Sequence, residues 1–139
     1  MSNTNLCLAN PNGWAKMEEC SDKTTQNFSY VSSSREIKYG LKCLDYNSDT
    51  TLVFIHDCHG DKNQKWYYNY KTMELKTLKD EKCLDMPGSR EMYMSPCHGG
   101  LNQKFQIPSD WQMLPLSVSC IDFLTCLVSN GIDKYFPYV

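Results

Sequence analysis

Residues 43–66 read CLDYNSDTTLVFIHDCHGDKNQKW, and the spacing within this stretch decides the fold. A Cys-Leu-Asp triplet opens it, a second cysteine follows fifteen residues after the first, and a glutamine stands six residues beyond that cysteine. An aromatic residue closes the pattern two places after the glutamine. The pattern recurs in residues 83–105, and in residues 7–28 with alanine in place of the aspartate. The two later intervals are unchanged each time, which indicates three copies of one structural unit.

The residues before each second cysteine alternate in the way that predicts a half-buried strand. Apolar side chains stand three and five places before that cysteine in every copy: Ala15 with Met17, Val53 with Ile55, and Met92 with Met94. Because positions two apart share one face of a strand, we assign these side chains to the core. Further short strands are predicted around residues 35–39 and 73–76. Each copy therefore has about four short strands, and three copies must close around a shared core.

Composition restricts the protein to a few classes. The 139 residues, 41% hydrophobic and 12% aromatic, are enough for one domain with a core and too few for two. The net charge is −2 and the 14 lysines and arginines are scattered, so no nucleic-acid partner is expected. Residues 114–128 are moderately apolar, but the stretch is short and contains Asp122. It does not predict a membrane span, and no membrane insertion is expected.

The three copies resemble the ricin B-type β-trefoil lectins. The second and third copies, with Cys-His-Gly at residues 58–60 and 97–99 and Asn-Gln-Lys followed by Trp66 or Phe105, are most similar to the C-terminal lectin domain of polypeptide N-acetylgalactosaminyltransferases. The resemblance covers residues 1–107 and implies an all-β fold, a β-trefoil. Its lobes would span about residues 1–32, 33–72 and 73–107. Residues 108–139 would form a C-terminal extension.

The resemblance also implies one disulfide within each lobe: Cys7 with Cys20, Cys43 with Cys58, and Cys83 with Cys97. Counting alone leaves many pairings of six cysteines open. Cys120 and Cys126 fall outside the pattern and either pair with each other or stay free. Eight cysteines favour an oxidising compartment, so we expect the secretory pathway, in the Golgi lumen or outside the cell.

In the resembled family, the aspartate of Cys-Leu-Asp and the asparagine of Asn-Gln chelate sugar hydroxyls. A ring two places before the second cysteine and a histidine directly after it assist them. The second lobe has this whole set: Asp45, His56, His59 and Asn63. Phe54 lies on the strand face of His56 and extends the stacking platform.

The third lobe is predicted to be a weaker site. It has Asp85, His98 and Asn102, but Ser95 occupies the ring position, and Tyr93 is the candidate to compensate. The first lobe has Ala9, Ser21 and Thr25 at the ligand positions and is interpreted as scaffold.

The same residues also allow structural interpretations. Asp45 and Asp85 are also suited to capping turns. The three repeated glutamines, Gln26, Gln64 and Gln103, are expected in the core, paired with backbone groups. Trp14, in a lobe without sugar ligands, is interpreted as a packing residue.

Zinc at Cys58-His59 or Cys97-His98 is disfavoured, because structural zinc sites use cysteine pairs two to four residues apart. Neither a metal nor a cofactor is expected. No hydrolase motif is present, and the catalytic domain of the resembled transferases is absent, so the chain is not expected to be an enzyme.

The predicted function is a monomeric lectin module that binds glycans or glycoproteins ending in galactose or N-acetylgalactosamine, as the lectin part of a transferase-like protein. The alternative is a structural or protein-interaction trefoil that binds no sugar. Ile37 lies six residues before Cys43, and Met1 holds the equivalent place before Cys7. We therefore expect a shortened form of a larger protein, whose extension pairs with the first lobe through residues 110–128.

Overall fold

The computed structural model describes residues 5–113 and 138–139, which form ten short strands and three single-turn 3-10 helices. The strands are β1 Leu6–Ala9, β2 Lys16–Glu19, β3 Phe28–Val31, β4 Glu36–Tyr39, β5 Lys42–Tyr46, β6 Val53–Asp57, β7 Trp66–Asn69, β8 Glu74–Thr77, β9 Cys83–Asp85 and β10 Tyr93–Ser95. The 3-10 helices are Thr24–Gln26, Lys62–Gln64 and Leu101–Gln103. Strands β4 and β8 confirm the predicted strands ahead of the second and third copies. In the described residues no helix is long and apolar enough to cross a bilayer.

The strands pair antiparallel in three sheets that interlock the lobes. Strands β1 and β2 form a two-stranded sheet, and two four-stranded sheets follow in the orders β3-β4-β5-β6 and β7-β8-β9-β10. Each four-stranded sheet thus begins with the last strand of the preceding lobe. No lobe can complete its sheet alone, and the predicted all-β trefoil fold is confirmed.

A ring of backbone hydrogen bonds marks the point where the three lobes meet. The Ala15 N–H donates to the Val53 carbonyl at 3.1 Å, and the Val53 N–H donates to the Met92 carbonyl at 3.4 Å. The Met92 N–H closes the ring on the Ala15 carbonyl at 3.0 Å. These residues are equivalent in the three copies, so the ring lies on the pseudo-threefold axis. They and their partners Met17, Ile55 and Met94 are at most 9% exposed, as the alternation predicts.

The core is built from the repeated aromatic and leucine positions. Trp66 and Phe105 are fully buried, as are Leu44 and Leu84 of the Cys-Leu-Asp triplets. The Trp66 indole N–H donates to the Leu44 carbonyl at 3.0 Å, which satisfies the polar atom that this ring brings into the core. This hydrogen bond joins the last residue of the second copy, Trp66, to Leu44 near its start.

The three implied disulfides are present, and each closes a loop within one lobe. Cys7 pairs with Cys20, Cys43 with Cys58, and Cys83 with Cys97, with Cα–Cα distances of 4.9, 5.2 and 5.2 Å. Closing loops of this length stabilises a fold by about 3 kcal/mol each in the chain-entropy model. Cys120 and Cys126 lie outside the described residues.

The last two residues lie beside the first strand. The Tyr138 N–H donates to the Leu6 carbonyl at 3.0 Å, and the Leu8 N–H donates to the Tyr138 carbonyl at 3.2 Å. The Val139 N–H donates to the Gln106 carbonyl at 2.7 Å. Residues 138–139 therefore connect β1 to the end of the third lobe. Of the segment expected to make this pairing, residues 114–128 lie outside the described residues.

Candidate functional site

The predicted residues of the second lobe come together around the Asp45 carboxylate, which is only 2% exposed at the end of β5. The Asn63 side-chain amide donates to Asp45 Oδ1 at 2.7 Å. The Gln64 amide donates to Asp45 Oδ2 at 2.7 Å, and His59 Nε2 lies 3.3 Å from the same oxygen. Each carboxylate oxygen accepts about two hydrogen bonds, so Oδ1 retains an acceptor site for a ligand hydroxyl.

The backbone fixes the orientation of the His59 ring. The Asp61 N–H donates to His59 Nδ1 at 3.1 Å, so that nitrogen is the acceptor and Nε2 carries the hydrogen that faces Asp45. Gly60, with φ of +80°, makes the tight turn that brings the Asp61 N–H back to the ring. Four side chains, two amides, one imidazole and one carboxylate, are thus held in one hydrogen-bonded cluster.

Gln64 has a larger role than the sequence indicated. It is fully buried, accepts from the His59 N–H at 2.8 Å and donates to the Asp57 carbonyl at 2.8 Å, which confirms the predicted pairing with backbone. The same side-chain nitrogen also donates to Asp45. The constant six-residue interval pointed to a fixed structural position, but it gave no sign of a contact with the carboxylate.

A row of rings leads away from this cluster along the protein surface. The His59 and His56 ring centroids are 6.4 Å apart, His56 and Phe54 are 5.6 Å apart, and Phe54 and Trp14 are 5.8 Å apart. His56 is exposed and Phe54 is half-buried. The platform predicted from His56 and Phe54 is therefore continuous with a ring from the first lobe.

Sequence reasoning missed the place of Trp14. Half of its surface is exposed, so the predicted packing role describes only the half that meets Phe54. The place itself repeats, since Leu52 stands six residues before the second cysteine of the next copy and pairs with Tyr93 as Trp14 pairs with Phe54. Because Leu52 is not aromatic, the repeat alone does not predict a row of rings across two lobes.

The third lobe repeats the polar cluster but not the row of rings. Asp85 is 1% exposed; Asn102 donates to its Oδ1 at 2.6 Å and Gln103 donates to its Oδ2 at 2.9 Å. His98 Nε2 lies 3.6 Å from the carboxylate, too far for a hydrogen bond, and its side chain is 49% exposed. Tyr93 stands opposite Asp85 across β9 and β10 and is half-buried.

The first lobe has only the structural part of the arrangement. Gln26 accepts from the Ser21 N–H at 2.9 Å and donates to the Glu19 carbonyl at 2.8 Å, so its predicted pairing with backbone is confirmed. Unlike the other two repeated glutamines it is only half-buried, and its predicted place in the core is wrong. Ala9 is fully buried where the other lobes have a carboxylate. This lobe therefore holds the repeated turn but offers no acceptor for sugar hydroxyls.

Solved structures similar to this chain share its fold. GalNAc-T7, solved with UDP, GalNAc and Mn2+, matches with a TM-score of 0.63 and 20% identity over 72% of this chain and 19% of that one. A non-toxic homologue of type II RIPs from Momordica charantia (bitter gourd), in complex with α-methyl-D-galactoside, matches with a TM-score of 0.64 and 20% identity over 71% and 42%. The β-trefoil lectin of the Vibrio vulnificus hemolysin/cytolysin, with N-acetyl-D-lactosamine bound, gives 0.56 and 19% over 69% and 80%.

The chain spans only part of the first two of these proteins, and at these identities the likeness establishes the fold alone. No curated protein sequence matches the chain significantly. The model of the ricin-type β-trefoil lectin domain matches residues 1–105, most of the chain. That domain is a carbohydrate-binding module and not a catalytic one, in agreement with the sequence analysis. The chain therefore belongs to the family of ricin-type β-trefoil lectin domains.

Proposed function

We propose that the second lobe binds the terminal galactose or N-acetylgalactosamine of a glycan or glycoprotein. The observation that carries the proposal is a buried carboxylate, Asp45, held by Asn63 and His59 at the end of an exposed ring platform. Galactose-type sugars present vicinal hydroxyls on one side and apolar C–H groups on the other. Asp45 Oδ1 and the Asn63 side-chain oxygen supply acceptors for the hydroxyls, since both Asn63 amide hydrogens are already donated, one to Asp45 and one to a backbone carbonyl. His56 with Phe54 supplies the stacking surface.

The similar structures support this ligand class. The bitter gourd protein was solved with a methyl galactoside, and the Vibrio lectin with N-acetyl-D-lactosamine. In the third lobe, Asp85, Asn102, His98 and Tyr93 form a second and weaker site, because the carboxylate cluster is present without the continuous row of rings. The first lobe is scaffold.

The setting of the domain is also proposed. Three disulfides favour an oxidising compartment, which supports the proposal that the protein works in the secretory pathway, in the Golgi lumen or outside the cell. The likeness to GalNAc-T7 supports a role as the lectin part of a transferase-like protein, in which the domain would hold glycoprotein substrates near a separate catalytic domain. We propose that the domain itself is a monomer.

Calorimetric titration of the oxidised protein with galactose and N-acetylgalactosamine tests the proposal. A single pocket of this kind is expected to bind with a dissociation constant of about 0.1–1 mM. Asp45→Asn replaces the carboxylate that accepts from the sugar hydroxyls with an amide that also donates, so most of the heat of binding should disappear.

The matched control is Asp85→Asn, which makes the same change in the equivalent cluster of the third lobe. Both variants place an extra donor against buried amides, so their loss of stability is similar while their effects on sugar binding differ. Equal binding by the two variants would contradict the assignment to the second lobe. Absence of binding by folded wild type at tens of millimolar would favour a trefoil used for protein interaction.

A further inference from the structure

The backbone on either side of Trp14 holds its side chain in a half-exposed position. Half of its surface meets water, although burying a tryptophan is among the larger hydrophobic gains available to a small domain. The Gly13 carbonyl accepts from the Ile55 N–H at 2.8 Å, and the Ala15 N–H donates to β6. Hydrogen bonds on both sides of Trp14 thus fasten it to the second lobe, and φ of +96° at Gly13 suits only glycine well.

The neighbours of Trp14 on one side lead to the proposed sugar site. Its ring meets Phe54, Phe54 meets His56, and His56 meets His59 beside Asp45, with successive centroid distances of 5.8, 5.6 and 6.4 Å. The rings therefore continue beyond the surface that a single sugar would cover.

Trp14 also lines a cavity of about 350 Å³ where the lobes meet. The volume lies within the range of roughly 300–1,000 Å³ that small-molecule sites occupy. The cavity is also lined by Lys16, Glu18, Leu52 and Glu91. Carboxylates and an ammonium group beside an aromatic ring are suited to the hydroxyls and C–H faces of a carbohydrate.

We propose that the second lobe recognises an oligosaccharide and not only its terminal sugar, with Trp14 as the residue that determines the preferred length. The terminal sugar lies at Asp45, and the following sugars cross Phe54 to Trp14 and the cavity beside it. This inference rests on the proposed sugar-binding function and adds a subsite formed by a lobe that has no sugar ligands of its own.

The test is a calorimetric titration with galactose, N-acetyllactosamine and lacto-N-neotetraose, all of which end in galactose. Wild type should bind the tetrasaccharide about 10-fold more tightly than galactose, a gain of about 1.4 kcal/mol. In Trp14→Ala this gain should vanish, so that galactose and the tetrasaccharide bind with the same dissociation constant. Trp14→Phe keeps a ring at the position and should retain part of the gain.

Leu41→Ala is the matched control, since Leu41 is 93% exposed and its removal also deletes apolar surface without touching the row of rings. It should keep the full tetrasaccharide gain. Thermal unfolding of each variant shows that the protein remains folded.

Three results would overturn the proposal. Wild type that binds galactose with no gain for the tetrasaccharide, or a Trp14→Ala variant that keeps the gain, contradicts the subsite while leaving the proposed function intact. Folded wild type that binds neither galactose nor the tetrasaccharide contradicts both the subsite and the proposed function.

Discussion

At the scale of single residues, Gln64 connects the scaffold to the site. One side chain joins the Asp57 carbonyl, the His59 N–H and the Asp45 carboxylate. Gln103 makes the equivalent contacts in the third lobe, with Pro96, His98 and Asp85. The glutamine therefore positions the carboxylate in both lobes and is not itself a sugar ligand.

Gln64→Ala should lower the free energy of unfolding by about 3 kcal/mol, because it leaves a buried carboxylate and two backbone groups without this partner. Gln26→Ala makes the same change in the first lobe, where the side chain is less buried and meets no carboxylate, and should cost about 1 kcal/mol. Urea denaturation of the two variants measures both losses. Equal losses would show that the contact with Asp45 adds nothing.

The residue contacts also show what a sequence can predict. Asp45, His59 and Asn63 were predicted from the resemblance to the ricin B-type lectins, and the structure brings all three together. The exposed position of Trp14 was missed because the equivalent residues of the other copies, Leu52 and Glu91, are not aromatic. A ring that only one copy has at a repeated place is not predicted by the repeat.

At the scale of strands, Tyr46 connects two lobes. It ends β5, and its hydroxyl donates to Asp80 Oδ2 at 3.1 Å, in the segment between β8 and β9. Burial, with the Asp80 carboxylate as a second cause, raises the pKa of Tyr46 from its ordinary value of 10.0 to about 12. The neutral hydroxyl is thus the form that suits the folded state.

A raised pKa in the folded state gives stability that is present below pH 10 and is lost as the pH rises through 12. The free energy of unfolding should therefore fall by about 1.4 kcal/mol per pH unit across this window on account of Tyr46. Tyr46→Phe should show a slope that is smaller by that amount, in chemical denaturation series at several pH values. An unchanged slope would contradict the account. Burial also raises the pKa values of Tyr68 and Tyr70, and these residues contribute to the slope that remains.

The strands themselves were largely predictable. Alternating apolar residues before each second cysteine predicted β2, β6 and β10, and the short apolar segments between copies predicted β4 and β8. A pairing of the extension with the first lobe was expected, but not that residues 138–139 would contact β1. The two segments meet only after the lobes have closed. Periodicity predicts strands, while pairing between distant segments depends on the assembled fold.

At the scale of the whole molecule, one scaffold carries three different surfaces. The backbone hydrogen bonds among Ala15, Val53 and Met92 and the three disulfides are equivalent in the three lobes. The ligand positions differ between lobes, because the first lobe lacks the carboxylate and the third lacks the continuous row of rings. A repeated fold can thus keep its core while the lobes diverge at their surfaces.

The most direct test of the central claim is a two-dimensional amide NMR titration with galactose and N-acetylgalactosamine. The account predicts that the amides of Asp45, His59 and Asn63 shift together and saturate, with a dissociation constant of about 0.1–1 mM. Those of Asp85, His98 and Asn102 should shift only at higher sugar concentration, and those of Ser21 and Thr25 should stay in place. Saturable shifts centred on the first lobe, or none at tens of millimolar sugar, would contradict the account.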